Sequence, residues 1–262
     1  MNKQYRLVWF QHLRKAAGSS LVQLAIANGE VLYPQHRNGN PLTTDGRLIR
    51  LWEMDAAELL DFVDHCETEG ITFVSTEWGA PDFTILASDA RVILITCLRD
   101  PLRRYLSEFY YAVYRGRTER RSPEDFVNSK GTHSIFTQSM FNYYCRIFSR
   151  YNDSPEPIGQ EQFELATSAL SLLTYRAILE DKDSCTALYN MLGWTKSEAH
   201  ANRTELSLFT LSRLLIEGRI HQLWRHLTIP RKVPDEAFVR LFKEQNQWDY
   251  RLYREVIDKV ST

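Results

Sequence analysis

The sequence predicts a single α/β domain in which helices flank a central parallel sheet in three layers, with a helix-rich C-terminal half. Residues 91–98 form a nearly continuous apolar run, which is typical of a strand buried on both faces of a sheet. In the first half of the chain, strand-like runs alternate with helical patterns, as parallel strands joined by crossover helices do. The 262 residues, 44% of them hydrophobic, are enough for one large core.

The first half of the chain supplies the predicted strands. β-Forming residues over 5–10 predict the first strand, and helical apolar spacing over 20–29 predicts a helix that ends at a glycine. Residues 33–50 are rich in Pro, Gly and Asn, and they are predicted to form a surface loop. A helix over 55–64 and a second strand over 71–75 follow.

The third strand, residues 91–98, is predicted to lead directly into a helix over 102–115. Asp100 suits the N-cap of that helix, Pro101 suits its first position and Gly116 suits its end. The rest of the chain is predicted to be mainly helical, over 122–129, 137–150, 161–173, 183–192, 208–226 and 235–260, with a short strand at 175–179. Helices therefore dominate the C-terminal half.

The overall charge and the cysteines argue against several classes of function. A formal net charge of −1 offers no general attraction to nucleic acid. The four cysteines lack the paired spacing of metal sites, so we expect reduced thiols, no bound metal and a cytoplasmic location. No stretch approaches the roughly 18 apolar residues of a membrane helix, and residues 1–10 lack a secretory signal. No membrane association is expected, unless a targeting segment was trimmed, and the oligomeric state is left open.

The segment FQHLRKAAGSSL, residues 10–21, joins the first strand to the first helix. The start of a helix attracts anions, because its first N–H groups are unpaired and carry the positive end of the helix dipole. Lys15 adds a positive charge, and Gly18 lets the backbone approach closely. Ser19 and Ser20 add hydroxyl donors, so the segment predicts a phosphate cradle. An ordinary turn with a solvated lysine is the alternative, and the lysine precedes the glycine, unlike the GxxxxGK(S/T) pattern of nucleotide triphosphatases.

A second cation and hydroxyl stand where the third strand gives way to its helix. Arg99 follows the strand directly, and Ser107 lies two helical turns beyond it. Because the carboxyl ends of parallel strands meet at one edge of a sheet, both anion sites are expected at that edge. The sequence therefore predicts a ligand with two separated phosphate-type groups.

These two segments resemble the motifs of sulfotransferases that use 3′-phosphoadenosine 5′-phosphosulfate (PAPS). HLRKAAGSSL is similar to their HIPKTAGTSL-type loop, and CLRDPLRRYLSEF is similar to their LRDPxxRYLSEF-type segment. The nearest resemblance is to heparan sulfate 6-O-sulfotransferases and their bacterial relatives. Residues 142–146, 188–194 and 246–253 also resemble the family's Asn-x-x-x-Arg, LLGW and NxxDxxLY segments.

The resemblance implies a P-loop-like fold, with the first motif binding the 5′-phosphosulfate and the second binding the 3′-phosphate. No metal is implied, and the product of the donor is 3′,5′-phosphoadenosine. Arg104 coincides with an arginine of the family, although a structural salt bridge is an equal alternative. By position, the implied donor contacts are Arg14, Lys15, Ala17, Gly18, Ser19, Ser20, Leu21, Arg99 and Ser107.

Two catalytic residues are expected, Lys15 and Glu77. Lys15 is suited to stabilise charge on the leaving oxygen, and the acceptor needs a general base. The 6-O-sulfotransferases carry a histidine in a GLHADW-like stretch, whereas residues 73–78 here read FVSTEW. Glu77 is the strong proton acceptor of that stretch and is assigned as the base. A role for Glu77 in pairing with a cation, and His36 as the base, are the alternatives; His12 is expected to support the loop.

The expected reaction is transfer of a sulfuryl group to a hydroxyl or amine of a small molecule. Because the chain has no broad excess of Lys and Arg, a cationic secondary metabolite such as a guanidinium alkaloid toxin fits better than a polyanionic chain. A glycan O-sulfotransferase and an inactive nucleotide-binding module are the alternatives. A nucleotide kinase is disfavoured by the lysine spacing. The acceptor pocket is expected to draw on aromatic residues that also suit a core: Trp78, Tyr110, Tyr111 and Tyr114.

Overall fold

The structure, a computed structural model, describes residues 4–127, 141–151, 154, 156–195 and 216–260. The helices predicted over 122–129, 137–150 and 208–226 lie partly outside these residues. The other predicted elements fall within them.

Four parallel strands form the central sheet, as the sequence predicts. They are β1 (Leu7–Gln11), β4 (Phe73–Thr76), β5 (Val92–Leu98) and β6 (Tyr175–Ile178), in the order β4-β1-β5-β6. Trp9 in β1 is in register with Val74 of β4 and with Leu94 of β5. Two short strands, β2 (His36–Arg37) and β3 (Asn40–Pro41), form an antiparallel hairpin inside the segment that was predicted to be a loop.

Helices flank this sheet, and the prediction of an α/β fold with a parallel sheet is confirmed. In chain order they are α1 (Gly18–Ala27), α2 (Ala56–Thr68), α3 (Phe83–Ser88), α4 (Pro101–Tyr114), α5 (Pro123–Val127), α6 (Tyr143–Phe148), α7 (Gln160–Ser171), α8 (Lys182–Leu192), α9 (Ile220–Thr228), α10 (Glu236–Gln245) and α11 (Gln247–Val260). The sequence did not predict α3. It also predicted one helix over 235–260, which the structure divides at Asn246.

The start of α4 follows the predicted capping chemistry. The Asp100 side chain accepts a hydrogen bond from the Arg103 N–H at 2.9 Å, and Pro101 occupies the first turn. A proline there costs nothing, because the first N–H groups of a helix have no partner within it. The cap therefore fixes where β5 ends and where α4 begins.

Alternate side chains of β1 enter two separate cores. Leu7 and Trp9 pack in a cluster that includes residues of α2, α6 and α7. Val8 and Phe10 pack in a second cluster with residues of α1 and α8. Because strand side chains alternate between the faces of a sheet, this division shows that helices cover both faces.

A third apolar cluster holds α4 in place. Tyr105 and Phe109 of α4 are fully buried, and they share this cluster with Phe238 and Phe242 of α10. The ring centroids of Tyr105 and Phe242 are 5.0 Å apart. The packing fixes α4 beside the carboxyl edge of the sheet, where the face that carries Glu108 and Tyr111 borders the loop after β1.

Residues 142–146 and residues 246–253, two of the segments that resemble sulfotransferase motifs, pack against each other. Asn246 accepts a hydrogen bond from the Asn142 N–H through Oδ1 at 2.9 Å. Asp249 accepts the N–H groups of Tyr144 and Cys145 at 3.0 and 2.9 Å, and so caps the start of α6. Both segments therefore serve the fold through buried hydrogen bonds.

The described part of the chain contains no helix with the length and apolar character to span a membrane. All four cysteines are unpaired thiols, and three of them are buried. Burial raises the pKa of the Cys66 thiol to about 12. Within the described ranges, no group of three or more His, Cys, Asp and Glu residues has a metal-binding arrangement.

Candidate functional site

The strand order changes direction between β1 and β5, at the middle of the sheet. From β1 the chain continues to β4 on one side, whereas from β5 it continues to β6 on the other. The loops that follow β1 and β5 therefore diverge, and ligands of open α/β sheets bind at such a point. Residues 12–17 follow β1, Arg99 follows β5, and Glu77 follows β4 on the far side of β1.

The loop after β1 contains two non-glycine residues in the left-handed region of the backbone. Lys15 and Ala17 both have φ of 63°, in the left-handed region. The Ala17 carbonyl accepts the N–H groups of Ser20 and Leu21 at 2.9 and 3.0 Å. The N–H groups of the first two residues of α1, Gly18 and Ser19, meet no acceptor among the described residues. They leave the positive end of α1 open toward the loop.

Gly18 is required at the start of α1 by contact with His12. A Cβ atom on Gly18 would lie 1.7 Å from Nε2 of His12. The imidazole of His12 is 4% exposed, and it stacks on Phe10 with the ring centroids 5.5 Å apart. Burial, together with the charges of Arg14 and Lys15, lowers the pKa of His12 to about 3. His12 is therefore neutral at physiological pH, and it supports the loop by packing between Phe10 and Gly18.

Lys15 reaches from the loop to α4. Its Nζ atom lies 4.1 Å from the centroid of the Tyr111 ring, in a cation–π contact. Burial is the main cause that lowers the pKa of Lys15, and the charges of Arg14 and Arg99 lower it further. The carboxylate of Glu108 opposes this shift. The ammonium is thus held in a partly desolvated place where added negative charge is favourable.

Arg14 forms an ion pair that the sequence did not predict. Its Nη2 atom donates to Oε1 of Glu108 at 2.8 Å, and the two side chains are 18% and 4% exposed. The guanidinium also lies 5.4 Å from the centroid of the Trp78 ring. Burial opposes the charge of Arg14, yet the Glu108 carboxylate raises its pKa overall. Glu108 lies in the Ser-Glu-Phe part of the second motif, so its place in that motif is the sequence feature that points to it.

Arg99 connects the two predicted anion motifs. Its Nη1 atom donates to the Lys15 carbonyl at 3.2 Å, and its Nε lies 3.6 Å from Oε1 of Glu180. The Tyr144 hydroxyl fixes the Arg99 backbone, because it accepts the N–H at 3.2 Å and donates to the carbonyl at 2.6 Å. Nε of Arg99 is buried without a hydrogen-bond partner in the described part of the chain.

Ser107 lies on the face of α4 that borders the loop. Arg104, Ser107, Glu108 and Tyr111 are spaced i, i+3, i+4 and i+7, so they form one stripe along the helix. Ser107 is half-buried on this stripe. The Arg104 guanidinium is buried and lies 4.2 Å from the centroid of the Tyr143 ring. Arg104 therefore packs against an aromatic ring within the fold.

The remaining residues of the first motif differ in what they offer a ligand. Ser19 and Ser20 are half-buried in the first turn of α1. Leu21 is 4% exposed and packs in the core beneath α1, and its N–H is already bonded to Ala17. The motif therefore presents Lys15, the amides of Gly18 and Ser19 and the serine hydroxyls, while Leu21 anchors the helix.

Glu77 lies next to this loop at the end of β4. Its N–H donates to Oδ1 of Asn40 at 2.8 Å, and its Oε2 lies 3.5 Å from Nδ1 of His12. The side chain is 19% exposed. Burial raises the pKa of the Glu77 carboxyl, and the charge of Glu108 adds to this effect. A raised pKa makes a carboxylate a stronger base at neutral pH.

His36, the alternative base, is occupied by a local hydrogen bond. Its Nδ1 accepts the Gly39 N–H at 3.2 Å within the β2–β3 hairpin. A neutral imidazole that accepts at one nitrogen carries its proton on the other, so His36 has no remaining lone pair for an acceptor proton. Its side chain is exposed on the hairpin.

The aromatic residues of the predicted acceptor pocket divide into two pairs. The Tyr110 hydroxyl donates to the Lys232 carbonyl at 3.1 Å and the Tyr114 hydroxyl donates to the Ile229 carbonyl at 3.2 Å, and both rings are buried. They therefore attach the C-terminal helices to α4. Trp78, which is 42% exposed, and Tyr111 lie against Arg14 and Lys15 instead.

No protein-family model matches the chain, and no curated protein is significantly similar to it. The function is therefore inferred from the residues at the carboxyl edge of the sheet.

Proposed function

We propose that this protein is a PAPS-dependent sulfotransferase with a P-loop-like fold, which transfers a sulfuryl group to a hydroxyl or amine of a small molecule. The observation that carries the proposal is the direct contact between the two anion motifs, in which Nη1 of Arg99 donates to the Lys15 carbonyl at 3.2 Å. This contact brings two cations and the open start of α1 together at the point where the strand order reverses.

The described residues fit a ligand with two anionic groups. Lys15, the first amides of α1 and the hydroxyls of Ser19 and Ser20 would hold the 5′-phosphosulfate. Arg99 and Ser107 would hold the 3′-phosphate. The buried Nε of Arg99 has no hydrogen-bond partner in the described ranges, although the Glu180 carboxylate lies 3.6 Å away. Burial lowers the pKa of Lys15, and the charges of Arg14 and Arg99 lower it further. A bound anion would relieve both conditions.

Two side chains carry the proposed chemistry. PAPS supplies an activated sulfuryl group that is joined to phosphate through a bridging oxygen. Lys15 stabilises the charge that develops on this oxygen as its bond to sulfur breaks. The Glu77 carboxylate takes the proton of the acceptor hydroxyl or amine as the new bond to sulfur forms. The products are the sulfated acceptor and 3′,5′-phosphoadenosine, and no metal takes part.

Carboxylates and an exposed aromatic ring favour a neutral or cationic acceptor. Glu77 and Glu108 lie close enough to the loop to act on the charge of Lys15, and Trp78 exposes its ring beside Arg14. A cationic ligand can stack on such a ring while a carboxylate offsets its charge. A polar or cationic secondary metabolite of the cytoplasm, such as a guanidinium alkaloid, is therefore the proposed acceptor.

A glycan acceptor is the second candidate, and one observation favours it. The guanidinium carbons of Arg115 and Arg117 lie 5.6 and 5.2 Å from the centroid of the Tyr111 ring. Lys15 contacts the same ring. The two arginines would attract sulfate or carboxylate groups of a sugar chain. Because such attraction is screened by salt, sulfation of a polyanionic acceptor should fall steeply as ionic strength rises.

The proposal is tested by incubating the protein with labelled PAPS and a panel of acceptors. The panel contains small alcohols, amines, guanidinium compounds and desulfated heparan oligosaccharides, at low and high salt, and mass spectrometry detects an added sulfo group. Salt-insensitive sulfation of a small molecule is expected. Efficient, salt-sensitive sulfation of the oligosaccharide alone would favour the glycan candidate.

Two variants make this test specific. Lys15→Ala should lower turnover by about 10²–10³-fold, because it removes a charge that acts in the transition state, while binding of 3′,5′-phosphoadenosine is largely kept. Lys243→Ala, at an exposed position of α10, is the matched control and should be fully active. Binding of the nucleotide without turnover in the unaltered protein would indicate an inactive binding module, and a thermal shift with ATP and Mg²⁺ alone would indicate a kinase.

A further inference from the structure

The β2–β3 hairpin is attached to the end of β4, next to Glu77. The Ser75 N–H donates to the Gly39 carbonyl at 2.9 Å, and the Ser75 hydroxyl donates to the Asn38 carbonyl at 3.0 Å. Asn38 and Gly39 both have positive φ, of 53° and 82°. A Cβ on Gly39 would lie 2.8 Å from the Ser75 hydroxyl oxygen, so the turn is held closely against the strand.

This hairpin fixes the backbone of Glu77. Oδ1 of Asn40 accepts the Glu77 N–H at 2.8 Å, while Nδ2 of Asn40 donates to the Arg37 carbonyl at 2.9 Å. Asn40 is 3% exposed, so its amide is bonded within the protein on both sides. The hairpin therefore fixes the backbone position of Glu77.

His12 faces the carboxylate of the same residue. Its Nδ1 lies 3.5 Å from Oε2 of Glu77 and 3.4 Å from Nδ2 of Asn38. The ring has no room to turn, because it stacks on Phe10 and contacts Gly18. Since burial keeps this imidazole neutral, it carries one N–H, and Asn38 can face it with either the oxygen or the nitrogen of its amide.

We propose that His12 is a positioning residue that donates its Nδ1–H to Oε2 of Glu77 and so orients the carboxylate toward the acceptor. The catalytic role of this hydrogen bond rests on the proposed sulfotransferase function. The existence of the hydrogen bond between His12 and Glu77 does not depend on that function. A neutral donor at this place holds the ionised carboxylate without adding a charge that the phosphate loop would repel. Asn38 and Asn40 complete the arrangement from the hairpin.

Glu77 is faced by charged groups from two other elements. Arg14 and Lys15 of the loop after β1 favour the ionised carboxylate, whereas burial and Glu108 of α4 favour the protonated form. A hydrogen bond from His12 favours the ionised form and so lowers the pKa of Glu77. Removing the donor should therefore raise this pKa, whereas water entering a space left by His12 would lower it. The sign of the change separates the two effects.

The experiment compares His12→Leu with His12→Asn. Leucine fills the space without a donor, whereas the asparagine amide places an N–H near the position of Nδ1. The pKa of Glu77 is measured by ¹³C NMR of carboxyl-labelled protein without substrate, with Glu77→Gln assigning the signal. His12→Leu should raise the pKa by about one unit, and His12→Asn should restore it. The acid side of the rate profile should move with it.

A measurement on the unaltered protein covers the case in which His12→Leu does not fold. ¹⁵N NMR of the imidazole reports which nitrogen carries the proton, and protonated Nδ1 is expected. A proton on Nε2, or an unchanged or lower pKa of Glu77 in His12→Leu, would overturn the proposal. If the NMR results are as expected but no acceptor is sulfated, the hydrogen bond stands and the proposed function fails instead.

Discussion

At the scale of single residues, Glu108 acts on the charge of both cations of the loop, because it raises the pKa of Arg14 and of Lys15 against the effect of burial. It accepts from Arg14 at 2.8 Å and it opposes the burial that lowers the pKa of Lys15. Its second oxygen, Oε2, is buried without a hydrogen-bond partner in the described part of the chain. One buried carboxylate thus balances both Arg14 and Lys15.

Glu108→Gln should shift the activity of the protein toward lower pH. Glutamine keeps a hydrogen-bond acceptor for Arg14 but removes the charge, so the pKa of Lys15 falls further below its ordinary value. Because Lys15 must be protonated to stabilise the leaving oxygen, the rate is lost as pH rises through its pKa. The alkaline side of the profile of kcat should therefore move to lower pH. A profile identical to that of the unaltered protein would show that Glu108 does not act on Lys15.

Gly18→Ala should destabilise the protein through a steric clash. The added Cβ would lie 1.7 Å from Nε2 of His12, and the stacked ring cannot move away without disturbing Phe10. Overpacking of this kind costs about 1–3 kcal/mol of the free energy of unfolding. Urea unfolding measures the loss. The double variant with His12→Ala should recover part of it, whereas additive losses in the two single variants would mean that the ring is not the obstacle.

The sequence predicted several residues of the site but not their contacts. Lys15, Arg99 and Glu77 follow the ends of three strands, and that position is visible in the pattern of apolar runs. The ion pair between Arg14 and Glu108 joins residues 94 positions apart. It depends on the packing of α4 against the loop, which no local pattern describes.

At the scale of elements, α6 depends on a cap supplied by another helix. The N–H groups of Tyr144 and Cys145 at its start donate to the carboxylate of Asp249 in α11. Asp249 is only 1% exposed. Burial raises the pKa of Asp249, although these two N–H groups act against that change. Tyr144 in turn holds the backbone of Arg99, so the cap supports the candidate site indirectly.

Asp249→Ala should therefore destabilise the fold more than an exposed acidic change does. Two buried N–H groups would lose their acceptor, at about 1–3 kcal/mol each, so a loss of about 2–6 kcal/mol in the free energy of unfolding is expected. Glu244→Ala, at an exposed position of α10, is the control and should change it by less than about 0.5 kcal/mol. Equal midpoints of urea unfolding for the two variants would contradict this account of the cap.

Elements were predicted well where the signal was local. The cap of α4 at Asp100 and the apolar run of β5 are such signals, and the structure confirms both. The division between α10 and α11 was missed, because Asn246 interrupts the helix through buried hydrogen bonds to Asn142 and to the Phe242 carbonyl. The hairpin was missed because its strands have two residues each, and the turn between them is hydrogen-bonded to Ser75 of β4, which lies far away in the sequence.

At the scale of the whole molecule, the parallel sheet explains why distant motifs meet. The loops after β1, β4 and β5 leave the same edge of the sheet, and neighbouring parallel strands bring Lys15, Glu77 and Arg99 together. The third apolar cluster then places α4 across this edge, so that Glu108 and Tyr111 complete the surroundings of the loop. The sequence predicted the sheet and the edge, and the position of α4 required the three-dimensional packing.

Arg99 lies at the junction of these elements, so binding of the donor product should depend on it. It contacts the loop through the Lys15 carbonyl, the C-terminal part through Glu180, and α6 through the Tyr144 hydroxyl. Arg99→Ala should weaken binding of 3′,5′-phosphoadenosine by about 1–3 kcal/mol, because a charge-assisted hydrogen bond to the 3′-phosphate is lost.

Calorimetry measures this loss directly, and the thermal shift caused by a fixed concentration of the nucleotide should shrink in proportion, because stabilisation by a ligand follows its affinity. Arg103→Ala is the matched control, since Arg103 is exposed on the first turn of the same helix and should leave the affinity unchanged. An equal loss in both variants would mean that Arg99 acts only through the general charge of the region. Unchanged affinity in Arg99→Ala would assign the 3′-phosphate to other residues, and the contact between the two motifs would then serve the fold alone.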